Sequence, residues 1–494
     1  MILNKLIQAA WMGVIMTAMA FPQLIFAGVH TEAKIDGSWY VLTSDNEAHF
    51  ISRYYEMQNY PEGYDLVIPQ TVEYEEETYT VTALKDFDIY TGHGFGYITV
   101  HVLDGEPIAS LSLPSTIKEI GSLADSDLPK LTSITVDTEN KYFTSIDGVL
   151  YESDYDSSCN TMLLYPRSKP GTSIEIPEGV INLKDEIFYE SQLTHIHCPS
   201  TLRSIGKSAF KGLDLQEIVL NDGLEFIGPH AFEYAVCHGP LIIPESVRTI
   251  GNACFKKSKW FSDVILPEKY NSIGSHWFSG ASLETFHIQE HIKTINEGAF
   301  SGSTMLYIDL PDNIKTIHKG AFQDCDGLRK IELPLGLKKL EDDIFADCDQ
   351  LRDVTLSKNV KEVGSAFRGC PSLSDLYLLC ETPPKLDQGC PLGYFDTDQI
   401  NRLGQITVHV LEGCGEAYRN STWAKVGPIV EDLNNGVDDL PADGPISSTE
   451  TCTAYTLQGT VAAEGIPYSE LREALSPGIY IIRSASGKTE KIRL

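Results

Sequence analysis

The chain has 494 residues, with 69 acidic and 38 basic side chains, which gives a formal net charge of −31. The acidic residues are spread along the chain, and this balance argues against a nucleic-acid partner, which requires a basic face. It favours solubility and opposes self-association.

The first 27 residues have the pattern of an export signal. Lys5 precedes a run from Leu6 to Ala27 that carries no charged side chain. A small residue at Ala27, or earlier at Ala18 and Ala20, suits a cleavage site. The run is nearly long enough to span a bilayer, so an uncleaved anchor is the alternative. We therefore expect an exported protein that is secreted, exposed at the cell surface or associated with the outer membrane.

Residues 28–110 precede the repeats and lack their period. They are rich in Tyr, Thr, Val and Ile, and alternate in polarity near Tyr79, which predicts short strands. The first coil of a repeat array would otherwise expose its strand edge. We therefore interpret this segment as a β-rich N-terminal cap.

Residues 111–378 repeat every 22 or 23 residues, as a regularly placed phenylalanine shows: Phe188, Phe210, Phe232, Phe255, Phe278, Phe300, Phe322, Phe345 and Phe367. Most of these residues follow an aliphatic-Gly pair, as in IGKSAF from Ile205, and precede a strand-like run such as LQEIVL from Leu215. This period and strand pattern indicate a leucine-rich-repeat solenoid, of the repeat α/β class but mostly β, with about ten coils joined by a parallel β-sheet.

The alternation within one coil assigns each side chain a face. In LQEIVL, we expect Leu215, Ile218 and Leu220 to point inward and Glu217 and Val219 to point outward. The glycine of each aliphatic-Gly pair is expected to supply a bend whose backbone angles a side chain would hinder.

An insertion interrupts the first coils. Residues 137–175 contain two strand-like runs, SIDGVLYES from Ser145 and TMLLYPRS from Thr161, which predict a protruding hairpin. Such insertions often lie beside the binding face of a solenoid.

Three further segments follow the repeats. Residues 379–430 are predicted to form a C-terminal cap. Residues 431–450 are acidic, contain Pro and Gly and lack aromatic residues, so they read as a linker. Residues 451–494 are predicted to form a small C-terminal β module that ends in two strands joined by a Ser-Gly turn.

Six of the eleven cysteines form two groups of interest. Three lie three residues after a repeat phenylalanine and are interpreted as stacked, buried free thiols, with disulfides as the alternative: Cys325, Cys348 and Cys370. Three others follow the last coil and are better disulfide candidates, of open pairing: Cys380, Cys390 and Cys414. No CxxC spacing supports a redox dithiol or a zinc knuckle.

The motif HIQEH, from His287 to His291, matches an inverted zinc-protease pattern. That pattern needs a helix, whereas here it spans the end of a strand and the start of a coil, so we expect no metal. No set of acid, base and nucleophile converges elsewhere in the sequence. We therefore predict no catalytic residue, no cofactor and no enzymatic activity; the alternative is a surface hydrolase or metal-dependent enzyme using the N-terminal segment or the insertion.

The outward strand positions supply the candidate binding residues. Val219, Ile242 and Ile265 are adjacent in three consecutive coils and form an apolar stripe flanked by histidines. Exposed apolar patches can mark interaction sites; cover by the insertion or by a neighbouring subunit is the alternative. The full candidate set is His195, His197, Val219, Ile242, Ile265, His287, Tyr307 and Tyr377.

Several motifs carry a family resemblance. The recurrent aliphatic-Gly-x-x-Ala-Phe unit, the following Cys, the LPxxI openings and the closing TPP…AYRNSTW segment together resemble the BspA-type leucine-rich-repeat proteins of bacteria, over about residues 35–430. The segment from Tyr455, with PGIYIIR and a terminal GKTEKIRL, is similar to C-terminal sorting tails of Bacteroidetes. The resemblance implies a surface binding or adhesion protein whose partner is a host or bacterial surface protein or glycan. A structural surface-layer component is a further alternative.

Overall fold

The computed structural model describes residues 31–53, 63–90, 97–100, 103, 105–123, 127–153, 159–260, 264–283, 286–306, 308–386, 405–433, 451–456, 461–467, 470–471, 475, 479–484 and 489–493. The predicted signal segment and nearly all of the predicted linker lie outside these residues. In the part of the chain so described, no helix combines the length and the hydropathy that a membrane span requires.

The N-terminal segment forms strands where its β-branched and aromatic residues alternate with polar ones. They are β1 (Thr31–Ile35), β2 (Ser38–Leu42), β3 (Glu47–Arg53), β4 (Tyr64–Val67), β5 (Thr71–Tyr74), β6 (Glu77–Leu84), β7 (Phe87–Tyr90), β8 (Tyr97–Val100) and β9 (Ile108–Leu113). Five of them form a sheet in the order β1-β2-β3-β6-β5, and β7 and β8 form an antiparallel pair. In contrast, β4 and β9 pair in parallel, like the strands of the solenoid.

The insertion forms the predicted hairpin but is built into the wall of the solenoid. The strands around it are β10 (Ser133–Val136), β11 (Phe143–Ile146), β12 (Val149–Ser153), β13 (Cys159–Leu164) and β14 (Ser173–Glu175). β11, β12 and β13 are antiparallel, and β13 pairs in parallel with the next strand of the solenoid, β15 (Asn182–Leu183). The hairpin does not simply protrude, because Leu150 and Met162 are fully buried and would otherwise lie in water.

Each turn of the solenoid contributes up to three short strands, one on each side of the coil. Equivalent strands pair in parallel over runs of successive turns, so that the first and second sides are each divided into several sheets. The first side continues from β14 with β16 (His195–His197), β19 (Glu217–Val219), β22 (Leu241–Ile242), β25 (Val264–Ile265), β30 (Lys330–Glu332), β32 (Asp353–Leu356) and β34 (Asp375–Leu378). The second side continues from β15 with β17 (Ser204–Ile205), β20 (Phe226–Ile227), β23 (Thr249–Ile250), β26 (Ser272–Ile273), β28 (Thr294–Ile295), β29 (Thr316–Ile317), β31 (Lys339–Leu340), β33 (Glu362–Val363) and β35 (Lys385–Leu386). The third side holds β18 (Asp214–Leu215), β21 (Val236–Cys237), β24 (Lys259–Trp260) and β27 (Ser282–Leu283).

The C-terminal part consists of β36 (Thr407–Leu411), a short helix α1 (Gly415–Arg419), a 3₁₀ helix (Thr422–Lys425) and β37 (Ile429–Leu433), followed by β38 (Thr451–Thr456), β39 (Val461–Pro467), β40 (Ile479–Ser484) and β41 (Thr489–Arg493). β36 and β37 extend the first side of the solenoid. The last four strands form a separate antiparallel sheet in the order β39-β38-β40-β41, in which β40 and β41 are the predicted final pair.

The predicted fold class is confirmed: the structure is a mostly-β parallel solenoid of about 13 turns. It has more turns than the phenylalanine repeat alone predicts, because strands outside the repeat add parallel pairs at both ends. Before the repeats, β4 pairs with β9 and β9 with β10, and after them β36 and β37 follow β34.

The repeat phenylalanines form a continuous column through the core. From Phe188 to Phe367, neighbouring rings stack with centroids 5.0 to 5.8 Å apart and planes inclined by 3° to 29°. Every ring in the column is fully buried. Since offset stacking adds to the free energy of burial, this column joins each turn to the next.

The alternation predicted for the first-side strands is confirmed in the coil that contains β19. Leu215 is buried and Ile218 and Leu220 are partly buried, whereas Glu217 and Val219 are exposed.

The glycines of the aliphatic-Gly pairs serve close packing, and the expected reason, a special backbone angle, is wrong for Gly206, Gly228 and Gly251. Their φ values lie outside the left-handed region. A Cβ atom on Gly228 would lie 2.6 Å from the backbone of Gly206 in the preceding turn. The glycine is therefore needed because two turns approach each other more closely than a side chain allows.

The three stacked cysteines are buried free thiols, as predicted. The thiols of Cys325, Cys348 and Cys370 each donate to the carbonyl oxygen of a repeat phenylalanine in the preceding turn, over 3.2, 3.1 and 3.0 Å. Burial raises the pKa of Cys325 to about 12.

The expected disulfides after the last coil are not formed by the cysteines that the structure describes there, since Cys380 and Cys414 are both free. Cys390 lies outside the described residues. The thiol of Cys380 donates instead to the carbonyl oxygen of Ser357 over 3.2 Å.

The end of the core is closed by two aromatic side chains from the segment after β36. Tyr418 and Trp423 are fully buried. The Tyr418 hydroxyl donates to the Cys380 carbonyl, and the Trp423 indole N–H donates to the Pro384 carbonyl, each over 2.8 Å. These bonds satisfy the polar atoms of side chains that otherwise fill the solenoid end with apolar surface.

Candidate functional site

The outward side chains of the first side form a surface, the sheet face, whose columns follow from the strand register. In one column His197 lies beside Val219 and Ile242 lies beside Ile265. Further along the same side, Thr355, Tyr377 and His409 are in register. These residues are therefore aligned from turn to turn as the sequence period predicts for outward positions.

The apolar stripe predicted from the sequence is present on the sheet face. Val219, Ile242 and Ile265 are 38%, 59% and 42% exposed, while their strand neighbours Leu241 and Val264 are buried in the core. The insertion, as far as it is described, therefore does not cover the stripe. These β-branched side chains have few accessible χ1 rotamers. A partner that packs on them therefore causes only a small loss of side-chain conformational entropy.

The two predicted histidines of β16 border the stripe at one end. His195 and His197 flank the fully buried Ile196 and share the outward face. The His197 ring lies between two carboxylates of neighbouring strands, with Nδ1 2.5 Å from Glu175 and Nε2 3.9 Å from Glu217. This end of the stripe has a polar rim of histidine and glutamate.

The other end of the stripe leads toward His287, which is exposed. Residues 286–289 have no regular secondary structure and residues 290–291 form a turn, so HIQEH is not helical. The helix turn that brings two zinc ligands together in the inverted motif is therefore absent here. No group of three His, Cys, Asp or Glu side chains suited to a metal ion occurs among the described residues. Tyr307 lies outside them.

Tyr377 belongs to a second, separate cluster about 24 Å along the sheet face from Ile265, at five turns of about 4.8 Å each. Its ring stacks on His409, with centroids 4.6 Å apart and planes inclined by 13°. His409 Nδ1 lies 2.8 Å from Asp432 and its Nε2 lies 3.1 Å from Asp375. This histidine clasp, formed by Asp375, Tyr377, His409 and Asp432, joins β34, β36 and β37.

Sequence reasoning identified Tyr377 but missed the other members of the clasp. His409 comes 32 residues after Tyr377 in the sequence, which is longer than the repeat. The sequence signal that could have identified His409 was the alternation in ITVHVL from Ile406. That alternation places His409 on the outward face, provided that β36 is known to pair with β34.

We expect the histidine clasp to stabilise the C-terminal turns more at acidic than at alkaline pH. Burial opposes the charge on His409, but hydrogen bonds to Asp375 and Asp432 outweigh it and raise the pKa of His409. A raised folded-state pKa gives stabilisation that is complete below the unfolded-state value, near 6.5, and is lost as the pH rises through the folded-state value.

The measurement is the urea midpoint of unfolding at about pH 6 and about pH 9, on either side of the ordinary histidine pKa. The midpoint should fall with rising pH, and the fall should be smaller in His409→Gln, which cannot take up a proton. An identical pH dependence in both proteins would contradict this role of the clasp.

Residues 167–384 match the BspA type leucine rich repeat region in six copies, over the overlapping stretches 167–282, 227–308 and 271–384. This span contains the whole phenylalanine column and the apolar stripe. The turns within residues 167–384 therefore match BspA-type leucine-rich repeats.

Three solved bacterial structures are similar to this chain. A leucine rich cell surface protein from Faecalibacterium prausnitzii is 18% identical, with a TM-score of 0.43, and the match covers 75% of this chain and 97% of that one. The pneumococcal vaccine antigen PcpA is 17% identical, with a TM-score of 0.40 and coverage of 82% and 100%. A leucine-rich repeat protein from Bacteroides ovatus is 17% identical, with a TM-score of 0.35 and coverage of 83% and 100%. No curated protein matches the chain in sequence.

Proposed function

We propose that this chain is an exported, non-catalytic binding or adhesion protein of the cell surface whose sheet face engages a host or bacterial surface protein. The single observation that carries the proposal is the exposed apolar stripe of Val219, Ile242 and Ile265 on three successive turns of the first side, where β22 and β25 pair in parallel. BspA-type repeats support a surface binding role.

The composition of the stripe favours a protein partner over a glycan. Three aliphatic side chains at the centre, with His197 and Glu217 at the rim, resemble the apolar core and polar rim of a protein interface. Sugar hydroxyls would find few hydrogen-bonding groups at the centre of the stripe. Aliphatic side chains also have no proton or lone pair for acid, base or nucleophilic chemistry, which favours binding over catalysis.

The C-terminal module is proposed to be a sorting tail of the kind found in Bacteroidetes. Its four antiparallel strands bury a small core of their own, with Cys452, Ala454, Leu471 and Leu475. A sorting tail that is recognised and cleaved must be separable from the domain it exports, and a distinct core supports this.

The decisive variant is Ile242→Lys, which places a charge at the most exposed position of the stripe. Partners are captured with the mature protein from detergent extracts of host and bacterial surfaces, and affinity for the recovered protein is then measured. We expect Ile242→Lys to weaken binding about 30-fold, the loss typical of an interface hot spot.

Leu335→Lys is the control, because Leu335 is 41% exposed, close to the 42% of Ile265, but lies in a turn and not in the stripe. It should bind like the unmodified protein. Equal binding by both variants, with unchanged unfolding midpoints, would refute the stripe as the site. Capture of a glycan alone would replace the protein partner, and ordered self-assembly of the chain without a ligand would favour the surface-layer alternative.

A further inference from the structure

A concave site separate from the apolar stripe lies where the N-terminal sheet meets the first turns of the solenoid. It is a cavity of about 690 Å³, within the range of about 300–1,000 Å³ that is typical of small-molecule sites. Four segments line it: residues 45–47 at the start of β3, alternate residues of β6, residues 115–118 and residues 139–142. No residue of the apolar stripe belongs to it.

Backbone bonds hold two of these walls together. β3 and β6 are paired, with Glu47 opposite Thr80. The backbone N–H of Lys118 donates to the Thr82 carbonyl over 2.7 Å. The segment that follows β9 is therefore hydrogen-bonded to the end of β6. Since both walls are fixed by main-chain hydrogen bonds, the cavity is formed before any ligand arrives.

Side chains secure the remaining walls. Glu47 accepts from Lys118 over 2.8 Å and from Thr82 over 3.0 Å. The Asn140 amide donates to the carbonyls of Pro114 and Ile117 over 2.9 and 3.0 Å, which anchors the loop that carries Tyr142. The floor and the aromatic edge of the cavity are thus parts of one hydrogen-bonded frame.

Five hydroxyl side chains form part of the lining. Thr78, Thr80 and Thr82 follow one another at every second position of β6 and therefore share one face, and Ser115 and Thr116 add two further hydroxyls. Three of these hydroxyls, of Thr78, Thr82 and Thr116, donate to Glu73, Glu47 and the Val81 carbonyl. A hydroxyl oxygen that donates keeps lone pairs that can accept from the hydroxyls of a polyhydroxylated ligand.

Other groups in the lining remain available to a ligand. Within the described residues, no hydrogen bond or ion pair occupies the side-chain charges of Asp45, Glu139 or Lys141. The Tyr142 side chain is 46% exposed beside them, and its ring offers an apolar face on which a sugar ring can stack.

The charges that line the cavity indicate whether an anionic, a cationic or a neutral ligand fits it best. Three carboxylates, of Asp45, Glu47 and Glu139, face two ammonium groups, of Lys118 and Lys141. A polyanion would meet an excess of negative charge, while the pairing of Glu47 with Lys118 reduces the attraction for a cation. A neutral ligand avoids both costs.

We propose that this cavity binds a neutral oligosaccharide, with Tyr142 as the stacking platform and Thr78 and Thr80, the two β6 threonines that reach solvent, as hydrogen-bonding partners. The site goes beyond the protein-binding role proposed for the sheet face and does not depend on it. The protein would then hold two ligands of different chemistry on one rigid scaffold.

The test is titration of the mature full-length chain with maltotetraose, mannotetraose and chitotetraose, and with a heparin-derived tetrasaccharide as an acidic comparison. We expect saturable binding of at least one neutral tetrasaccharide. Tyr142→Ala should weaken it about tenfold through loss of the aromatic contact, and Thr80→Val about fivefold through loss of one hydrogen bond.

Three control variants separate this site from the rest of the molecule. Tyr234→Ala removes another exposed tyrosine, Thr355→Val removes an outward threonine of the sheet face, and Ile242→Lys disrupts the stripe; all three should leave the sugar affinity unchanged. Failure of all neutral tetrasaccharides to bind, binding of the acidic one alone, or full affinity in Tyr142→Ala with an unchanged unfolding midpoint would each overturn the proposal. Loss of sugar binding in Ile242→Lys would place the ligand on the sheet face instead.

Discussion

Replacing Phe322 by alanine should lower the free energy of unfolding by about 3–5 kcal/mol, the usual cost of truncating a buried phenylalanine. The ring is fully buried and stacks between Phe300 and Phe345 at 5.3 and 5.4 Å. Its removal leaves a cavity and interrupts the column between two turns. Because each turn contacts only its neighbours, no distant part of the solenoid can compensate.

The loss is measured by urea unfolding followed by far-ultraviolet circular dichroism. Phe226→Ala is the matched control, because Phe226 lies on β20 with its side chain 38% exposed. That change should alter the free energy of unfolding by no more than about 0.5 kcal/mol, as is usual for surface positions. Similar losses in the two variants would show that the column is not what joins the turns.

Replacing Gly228 by alanine should destabilise the protein by about 1–3 kcal/mol, the cost of overpacking a well-packed interior. The added methyl group would lie 2.6 Å from the backbone carbon of Gly206 and the amide nitrogen of Lys207. Both are main-chain atoms in an adjacent turn and cannot rotate away, so the two turns must separate.

Gly239→Ala provides the control of opposite sign. A Cβ atom at Gly239 would have only the Gln216 carbonyl oxygen nearby, at 3.8 Å, and its φ is outside the left-handed region. Alanine there should be neutral or stabilising, because it restricts the unfolded chain. If thermal unfolding shows equal losses in both variants, the close approach of turns is not the reason for Gly228.

Much of the solenoid could be predicted because its signals are local and recur. The 22- or 23-residue spacing of the phenylalanines defines equivalent positions, and alternation within each strand assigns the faces. Val219, Ile242 and Ile265 were therefore placed on the outside correctly. The roles proposed for them are still to be tested.

The features that were missed depend on contacts between segments far apart in the chain. The pairing of β13 with β15 builds the insertion into the wall, and this depends on burying Leu150 and Met162 rather than on any turn signal. The reason for the glycines was missed because backbone freedom is visible in a sequence, whereas the distance between turns is not.

The sequence by itself determined the repeating coil: its length, its inward phenylalanine and the outward column that contains Ile242, because these depend on periodicity and on side-chain polarity. Only the tertiary structure decided which segments outside the period join the ladder, and hence that His409 lies between Asp375 and Asp432. It alone also brought Thr80 and Tyr142 to one cavity. The physical reason is that both sites arise where non-repeating segments pack against a coil, and such packing follows from burial and main-chain pairing over long sequence separations.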